Sequence, residues 1–380
     1  MAARDRINGG YGQMEDMTML AIGLMSGTSL DGIDAALIDT DGGGRIRPVA
    51  FRTEPYSDAA RAELAEATRM ALTFDRPRAS PPIVAAGDLI TRTHALVVHK
   101  LMKEAGVTAS QVGVIGFHGQ TIAHRPDRGW TWQIGDGSAL ARTTGITTVA
   151  DFRSADVAAG GQGAPLLPVY HAALVAGLDG PVAVLNLGGV GNLTYVGTDG
   201  TMIAFDTGPA NGLIDHWVES ESGLRYDAGG ALAASGRVDE AVLTAMLDHP
   251  FFDAPPPKSL DRHDFTIQPA RGLSAADGAA TLTAFTAATV ADGLTHLPAR
   301  PLRLIVAGGG RHNPTMLSMI ADRTGLTPEP SDMLGWNGDS MEAEGFAYMA
   351  VRTLLGRPIS FPGTTGVTQA QVGGVVHHAA

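Results

Sequence analysis

Two stretches of this chain, far apart in sequence, follow the same order of elements, and this repetition restricts the fold more than any other feature. From Met19 to Asp39 an apolar run enters a turn of glycine, hydroxyl and carboxylate residues, "SGTSLDG"; a second apolar run leaves it and ends at "DGGG", Asp41–Gly44. From Val182 to Val218 the chain reads "VAVLNLGGVGNLTYVGTDGTMIAFDTGPANGLIDHWV". Here an apolar strand enters a glycine turn, a second strand ends in "GTDG", a third strand follows and a helix closes the unit. Short apolar runs bounded by such turns predict β-hairpins. A shared pattern without shared identity predicts a duplicated half of βββ type, and hence an α/β chain of two lobes.

The rest of the chain fits that plan. Ala59–Leu72 reads as a helix, "DRPRASPP" as a linker, and Ile83–Glu104 as a longer helix with apolar positions near the 3.6 spacing. The strand "VGVIGFHG" follows. A third glycine turn, in "LRLIVAGGGRHNPTMLSMI", runs from strand to helix, with Asn313 at the N-cap and Pro314 at the first helical position. The last helix is "SMEAEGFAYMAVRTLLG", Ser340–Gly356. At 380 residues and 44% hydrophobic composition, the chain is long enough for two cores. The boundaries read as a flexible extension over 1–17, an N-terminal lobe from 18–130 with 350–380, and a C-terminal lobe over 131–349.

Composition removes whole classes of function. A formal charge of −12 argues against a nucleic-acid binder and against a polybasic membrane anchor. With no cysteine there is no disulfide scaffold, thiolate nucleophile or zinc ribbon. No apolar run approaches the ~20 residues of a membrane span, and the first 17 residues lack the apolar centre of a signal peptide. Only three of the 27 basic residues are lysines, and none lies near a glycine turn, so no P-loop is present. No G-x-G-x-x-G follows a strand, which disfavours a Rossmann site. Ser29 is followed by Leu30 and Asp31 before Gly32, so the nucleophile elbow is missed as well. No H-E-x-x-H occurs; His94 and His99, five apart, fall on different faces of a helix. What remains is three turns whose backbone N–H groups can approach phosphate, with Asp31 and Asp206 beside two of them.

Hairpin phosphate loops, a glycine-rich adenosine loop and a connecting helix resemble the actin, hexokinase and Hsp70 superfamily. More closely, "GLMSGTSLDGIDAAL", "GFHGQTIAHRP", "TWQIGDGSALA", "VADFRSADVAAGGQGAPLLPVYH", "NLGGVGNLT", "FDTGPANGLID" and "SMEAEGFAYMA" resemble the signature segments of the anhydro-N-acetylmuramic acid kinases, from Ile22 to about Thr364. Two departures stand out: "PPPKSLDRHDF" where the family more often has a T-G-R-E version, and Ala210 where glycine is common.

The resemblance implies a two-lobed actin/hexokinase-like (ribonuclease H-like) fold with duplicated βββαβα-type halves and a central cleft for ATP and sugar. It implies an ATP- and Mg²⁺-dependent opening of the 1,6-anhydro ring with phosphorylation of O6, in cell-wall recycling in the cytoplasm. A homodimer stays open. An ordinary sugar kinase and an actin- or Hsp70-like nucleotide switch are the alternatives; "HGQTI" and "GGQGAPLLP" speak against a switch, which has no use for a sugar pocket.

The same resemblance places the triphosphate in Gly27, Thr28, Ser29, Leu30, Asp31, Gly32, Ile33 and Asp34, with Asp31 orienting Mg²⁺ through water; alone, the segment also reads as an Asx-stabilised turn. Gly188, Gly189 and Asn192 would face the phosphates from the other side, and Gly308, Gly309, Gly310 and Asn313 the adenosine. His118 is either a core histidine or a substrate contact. Gln120 and Thr121 have the mixed donor and acceptor character that suits sugar hydroxyls or an acetamido group. Arg153 suits a lactyl carboxylate or a structural ion pair with Asp151 or Asp156. Glu342 is a sugar-facing carboxylate by resemblance and a solvated helix-face acid by pattern. Asp206 follows the strand Met202–Phe205, precedes a helix and is the catalytic base by resemblance; by spacing alone it is an N-cap.

Overall fold

The computed structural model describes residues 17–260 and 264–379. They fall into two compact units, one built from residues up to Ala176 together with those from Ser340 on, the other from Gly177–Asp339. In the first, β1 (Met19–Ser26), β2 (Gly32–Thr40) and β3 (Ile46–Pro55) form an antiparallel meander. After the helices Asp58–Ala71 and Pro81–Ala105, β4 (Val112–Arg125) returns parallel to β1, β5 (Trp130–Ile134) folds back on it, and β6 (Thr148–Ala150) runs parallel to β4. A short strand, Val375–His377, closes the far edge of this sheet.

The second unit repeats the scheme. β7 (Val182–Leu187), β8 (Val190–Val196) and β9 (Met202–Pro209) form the meander, and β10 (Arg303–Ala307) and β11 (Pro328–Pro330) add in parallel on the other side of β7. With β5 set aside as a hairpin added to β4, the orders β3-β2-β1-β4-β6 and β9-β8-β7-β10-β11 correspond strand for strand. This is the duplicated α/β architecture that the repeat predicts.

Each unit has its own core. Ile22, Leu24, Leu37, Ile90, Val98 and Phe117 pack in the first, and Leu187, Phe205, Trp217, Leu282, Phe285 and Ile320 in the second. The helix Met341–Leu354 lies directly on β1 and β4 because glycine stands beneath it: a Cβ on Gly23 or Gly116 would fall on the carbonyls of Ala343 and Phe346. Among the described residues no helix is long and apolar enough to cross a membrane.

The helices match expectation closely, except that the Pro81–Pro82 pair assigned to the linker opens the helix behind Ser80. His94 is buried and bonded to Ile90 O while His99 is exposed. Three expectations are corrected. The division falls after Ala176 and before Ser340 rather than at 130/131 and 349/350, because β5 and β6 pair with β4 and keep residues 131–176 on the first sheet. β4 does not end at Gly119; that residue takes φ 71° and the strand runs on to Arg125. β9 continues through Asp206 to Pro209, held there by pairing with β8. Met17 aside, the expected N-terminal extension lies outside the described residues, as do Asp261–His263 of "PPPKSLDRHDF".

Candidate active site

The turn between β1 and β2 is fixed at both ends and open in the middle. Leu30, at φ 58°, donates its N–H to Gly27 O (3.2 Å), which tightens the loop. Tyr56 N donates to Asp31 O (3.0 Å) and Gln120 Nε2 to Gly27 O (3.1 Å), so each end of the turn is held by a residue from another strand or its flank. Ser26 Oγ donates to Gln120 Oε1, which can only accept; the Tyr56 hydroxyl, 2.8 Å from Ser26 Oγ, must therefore be the donor there. Burial pushes the Tyr56 phenol up to about 12, so it keeps that proton. Thr28, Ser29 and Asp31 are exposed, and their side chains have no partner among the described residues. Gln120 itself is fully buried, and its amide is committed to the turn rather than offered to a sugar.

Arg153 is oriented by histidine. His118 Nδ1 lies 2.9 Å from Gly119 O, an acceptor only, so Nδ1 carries the proton. Nε2 therefore accepts, from Arg153 Nη2 (3.1 Å) and Nε (3.3 Å). Burial first, then the Arg153 charge, holds the imidazole well below its ordinary range and hence neutral. Arg153 Nη1 donates to Gly163 O (2.7 Å). The structural ion pair that the sequence leaves open is not formed: Asp151 caps Ser154, and Asp156 accepts from Gly163 N and Thr365 Oγ1. Glu342, at the start of the helix Met341–Leu354, is accessible but hemmed by protein, and its carboxyl is raised by desolvation and by Asp34, partly offset by Arg153. The fold thus brings Asp34, Arg153 and Glu342 within electrostatic reach. Asp34 also accepts from Thr53 Oγ1 (2.6 Å), and Thr121 Oγ1 accepts from Gln133 Nε2 (3.1 Å).

In the second unit the register places Asn186, Asn192 and Asp206 side by side across β7, β8 and β9, a polar row among apolar strands that Ala307 of β10 extends without a polar group. Thr207 is an extra residue in β9, since Asn192 faces Asp206 while Gly191 faces Gly208; such a bulge re-aims a side chain. The Asp206 carboxylate accepts from Leu260 N at Oδ2 (2.8 Å), and Asp206 N donates to Lys258 O (2.9 Å). Burial pushes its carboxyl up to about 6 against the lowering effect of the Leu260 N–H. It is no N-cap: the helix Asn211–Ser222 starts five residues later behind Ala210.

The first amides of that helix are used internally. Asn211 N donates to Gly188 O (2.9 Å) and Gly212 N to Gly189 O (3.1 Å), which locks the β7–β8 turn. Gly308 sits at φ 74°, where a Cβ would run into Asn186 Oδ1 and lie 2.7 Å from Leu187 O. Gly309 is exposed, and Gly310 is packed on Leu187. Asn313 Oδ1 accepts from Met316 N (2.9 Å), so its side chain serves as the helix cap. Arg311, buried, ties this loop to Asp332 (2.7 Å) and Asp339 (2.8 Å).

Sequence reasoning placed Asn186 only as the start of the second glycine loop and did not single out Tyr56, Lys258 and Arg311. Lys258 had a signal, as one of three lysines; Tyr56 and Arg311 had none.

Comparison with known proteins shows the family. The family model for anhydro-N-acetylmuramic acid kinase matches residues 19–379. A protein of that name from Rhizorhabdus wittichii is 71% identical over 94% of this chain and 99% of its own length. One from Zymomonas mobilis is 54% identical over 95% of this chain and all of its own length, and one from Paramagnetospirillum magneticum is 49% identical over 94% and 99%. The chain belongs to the anhydro-N-acetylmuramic acid kinase family.

Proposed function

We propose that the protein opens 1,6-anhydro-N-acetylmuramic acid with water and phosphorylates O6 from ATP, giving N-acetylmuramic acid 6-phosphate and ADP. The observation that carries this is Asp206: a desolvated carboxylate at a bulge, aimed by backbone on both sides, with a carboxyl near 6. A group of that kind is a base at neutral pH. Asp206 takes a proton from water as its oxygen bonds to C1; the C1–O6 bond breaks, O6 bonds to the γ-phosphorus, and the bond to ADP breaks. A free-hydroxyl kinase needs no such water.

The remaining residues divide by chemistry. Thr28 and Ser29 offer unpartnered hydroxyls and turn N–H groups to phosphate oxygens, in a segment with Gly27, Leu30, Gly32 and Ile33 whose ends are braced by Tyr56 and Gln120. Gly188, Gly189 and Asn192 serve the phosphates and Gly308, Gly309 and Gly310 the adenosine, with Asn313 and Arg311 fixing that loop. Arg153, with N–H groups left over after His118 and Gly163, takes the lactyl carboxylate; Thr121 and Glu342 take sugar hydroxyls. Among the described residues no three carboxylates or histidines form a metal cage. That suits Mg²⁺ carried in by the triphosphate and met by the single exposed carboxylate of Asp31 through water, with Asp34 behind it. Bound there, the ion neutralises charge on the phosphates. The need for ATP places the reaction in the cytoplasm, and its substrate class places it in cell-wall recycling.

The test follows the oxygen atoms. In ¹⁸O-water the label should enter the C1 hydroxyl of a sugar 6-phosphate, with one ADP released per sugar. Label in the phosphate, or ADP release independent of sugar, would overturn the proposal.

A further inference from the structure

β9 is an edge strand, so the groups on its outer side need partners from outside the sheet. At Asp206 they come from the segment 254–260, which has no regular structure and carries Pro255, Pro256 and Pro257. Lys258 O accepts from Asp206 N, and two residues on, Leu260 N donates to Asp206 Oδ2. The segment therefore grips both the backbone and one carboxylate oxygen of Asp206. Oδ1 has no partner among the described residues.

What fastens the segment is the side chain of Lys258. Its Nζ donates to Phe251 O (3.0 Å) and Phe252 O (3.1 Å), in the short helix Pro250–Asp253, and lies 4.8 Å from the centre of the Phe251 ring. Burial holds its ammonium below the ordinary lysine range, partly offset by Asp292 and Asp253. Phe252 is buried against Phe265 and Phe285, with ring centres 5.4 and 5.8 Å away. A continuous set of contacts thus runs from the core of the second unit through Phe252 and Lys258 to the carboxylate. Among the described residues no charged side chain bears on Asp206; burial raises its carboxyl and the Leu260 N–H lowers it.

We infer that Lys258 is a positioning residue for Asp206: by pinning its segment to the carbonyls of Phe251 and Phe252 it fixes the Leu260 N–H on Oδ2 and leaves Oδ1 for the reacting water. This rests on the reading of Asp206 as the base.

The full-length protein with Mg-ATP and the anhydro sugar tests it. Lys258→Met keeps the apolar stem over Phe251 and removes the ammonium; Lys258→Arg restores a donor. Lys258→Met should lower kcat by roughly 10-fold or more, as misplacement of a reacting group does, with the KM for ATP unchanged. The acid limb of kcat should move up by about one pH unit, since the loss of one N–H bond to a carboxylate favours its protonated form. Lys258→Arg should recover most of both. Leu260→Pro deletes that N–H and spares Lys258, so it should shift the limb in the same direction, and it decides the matter where Lys258→Met does not fold. A lowered melting temperature with kcat and acid limb as in the wild type would overturn the inference, as would an unshifted limb in Leu260→Pro. Asp206→Asn, run beside them, separates the two readings. Wild-type turnover there removes the base itself, whereas an inactive Asp206→Asn beside a wild-type-like Lys258→Met removes only the strap.

Discussion

Replacing Asp206 by asparagine should make the protein more stable and almost inactive. The carboxyl lies at about 6 in the folded state because burial penalises its charge, whereas an exposed aspartate titrates near 3.9. The native state therefore holds this proton more tightly than the unfolded chain does. Its cost to stability is absent below the unfolded value, grows as pH rises from about 4 to 6, and is complete above that. Two pH units at about 1.4 kcal/mol each is about 3 kcal/mol at neutral pH. Asparagine keeps an acceptor for the Leu260 N–H and carries no charge, so most of that cost is relieved. A gain of 1 kcal/mol shifts the melting temperature by about 2–4 °C in a domain of this size, which makes the expected rise several degrees. Turnover should fall by roughly 10²- to 10⁴-fold, the ordinary contribution of a positioned base. In the wild type, kcat/KM should halve near pH 6 and fall about tenfold per unit below it. Thermal melts at pH 4 and pH 8 with steady-state ADP release read all three effects, and the stabilisation should vanish at pH 4. Near-wild-type turnover, or a lower melting temperature at pH 8, would refute the reasoning.

Gly308→Ala should cost about 1–3 kcal/mol in urea unfolding, from backbone strain at φ 74° and the clash with Asn186, and should weaken ATP binding measured by calorimetry. Tyr56→Phe removes the donor to Ser26, so stability should drop by about 1 kcal/mol and the KM for ATP rise severalfold, while the KM for sugar stays fixed. Asp31→Ala, at an exposed side chain without a partner among the described residues, should change stability by less than about 0.5 kcal/mol yet raise the Mg²⁺ concentration needed for half-maximal rate. Arg153→Lys loses the fork held on His118 and should raise the KM for the anhydro sugar roughly tenfold with ATP binding intact.

The architecture was legible because alternation and turn chemistry are local. The two hairpins, the long helix Pro81–Ala105 and the Asn313 cap all follow from spacing within a few residues. Strand ends were not legible. The pattern places the ends of the two strands at Gly119 and at Phe205, yet pairing with β5 and β8 carries both of them on. The roles within "HGQT" could not be read at all, since whether a glutamine amide faces ligand or protein depends on partners distant in sequence. Gln120 bonds to Ser26 and Gly27, and His118 to Arg153, pairs separated by 94, 93 and 35 residues. The resemblance supplied the chemistry of Asp206; its straps at Lys258 and Leu260 lie in the segment where this chain departs from the family pattern.

The duplication also explains why each half carries a different task on one strand order. In both units the first two strands meet at a turn that needs outside support, because a tight loop cannot pair its own N–H groups. In the second unit that support is backbone: the opening amides of the helix Asn211–Ser222 bond to Gly188 and Gly189, which uses up the helix terminus that would otherwise attract an anion. The turn is rigid there, and functional character shifts to the third strand, where the bulge at Thr207 turns Asp206 out of the ladder. In the first unit the support is side chain, from Gln120 and Ser26 together with the backbone of Tyr56, and the middle of the turn keeps two hydroxyls and a carboxylate without partners among the described residues. Its third strand has no such bulge beside the turn; the register of β2 on β3 is regular from Gly32 to Leu37. One half leaves the middle of its turn without partners among the described residues; the other fastens its turn with helix amides and presents the Asp206 carboxylate at a bulge instead.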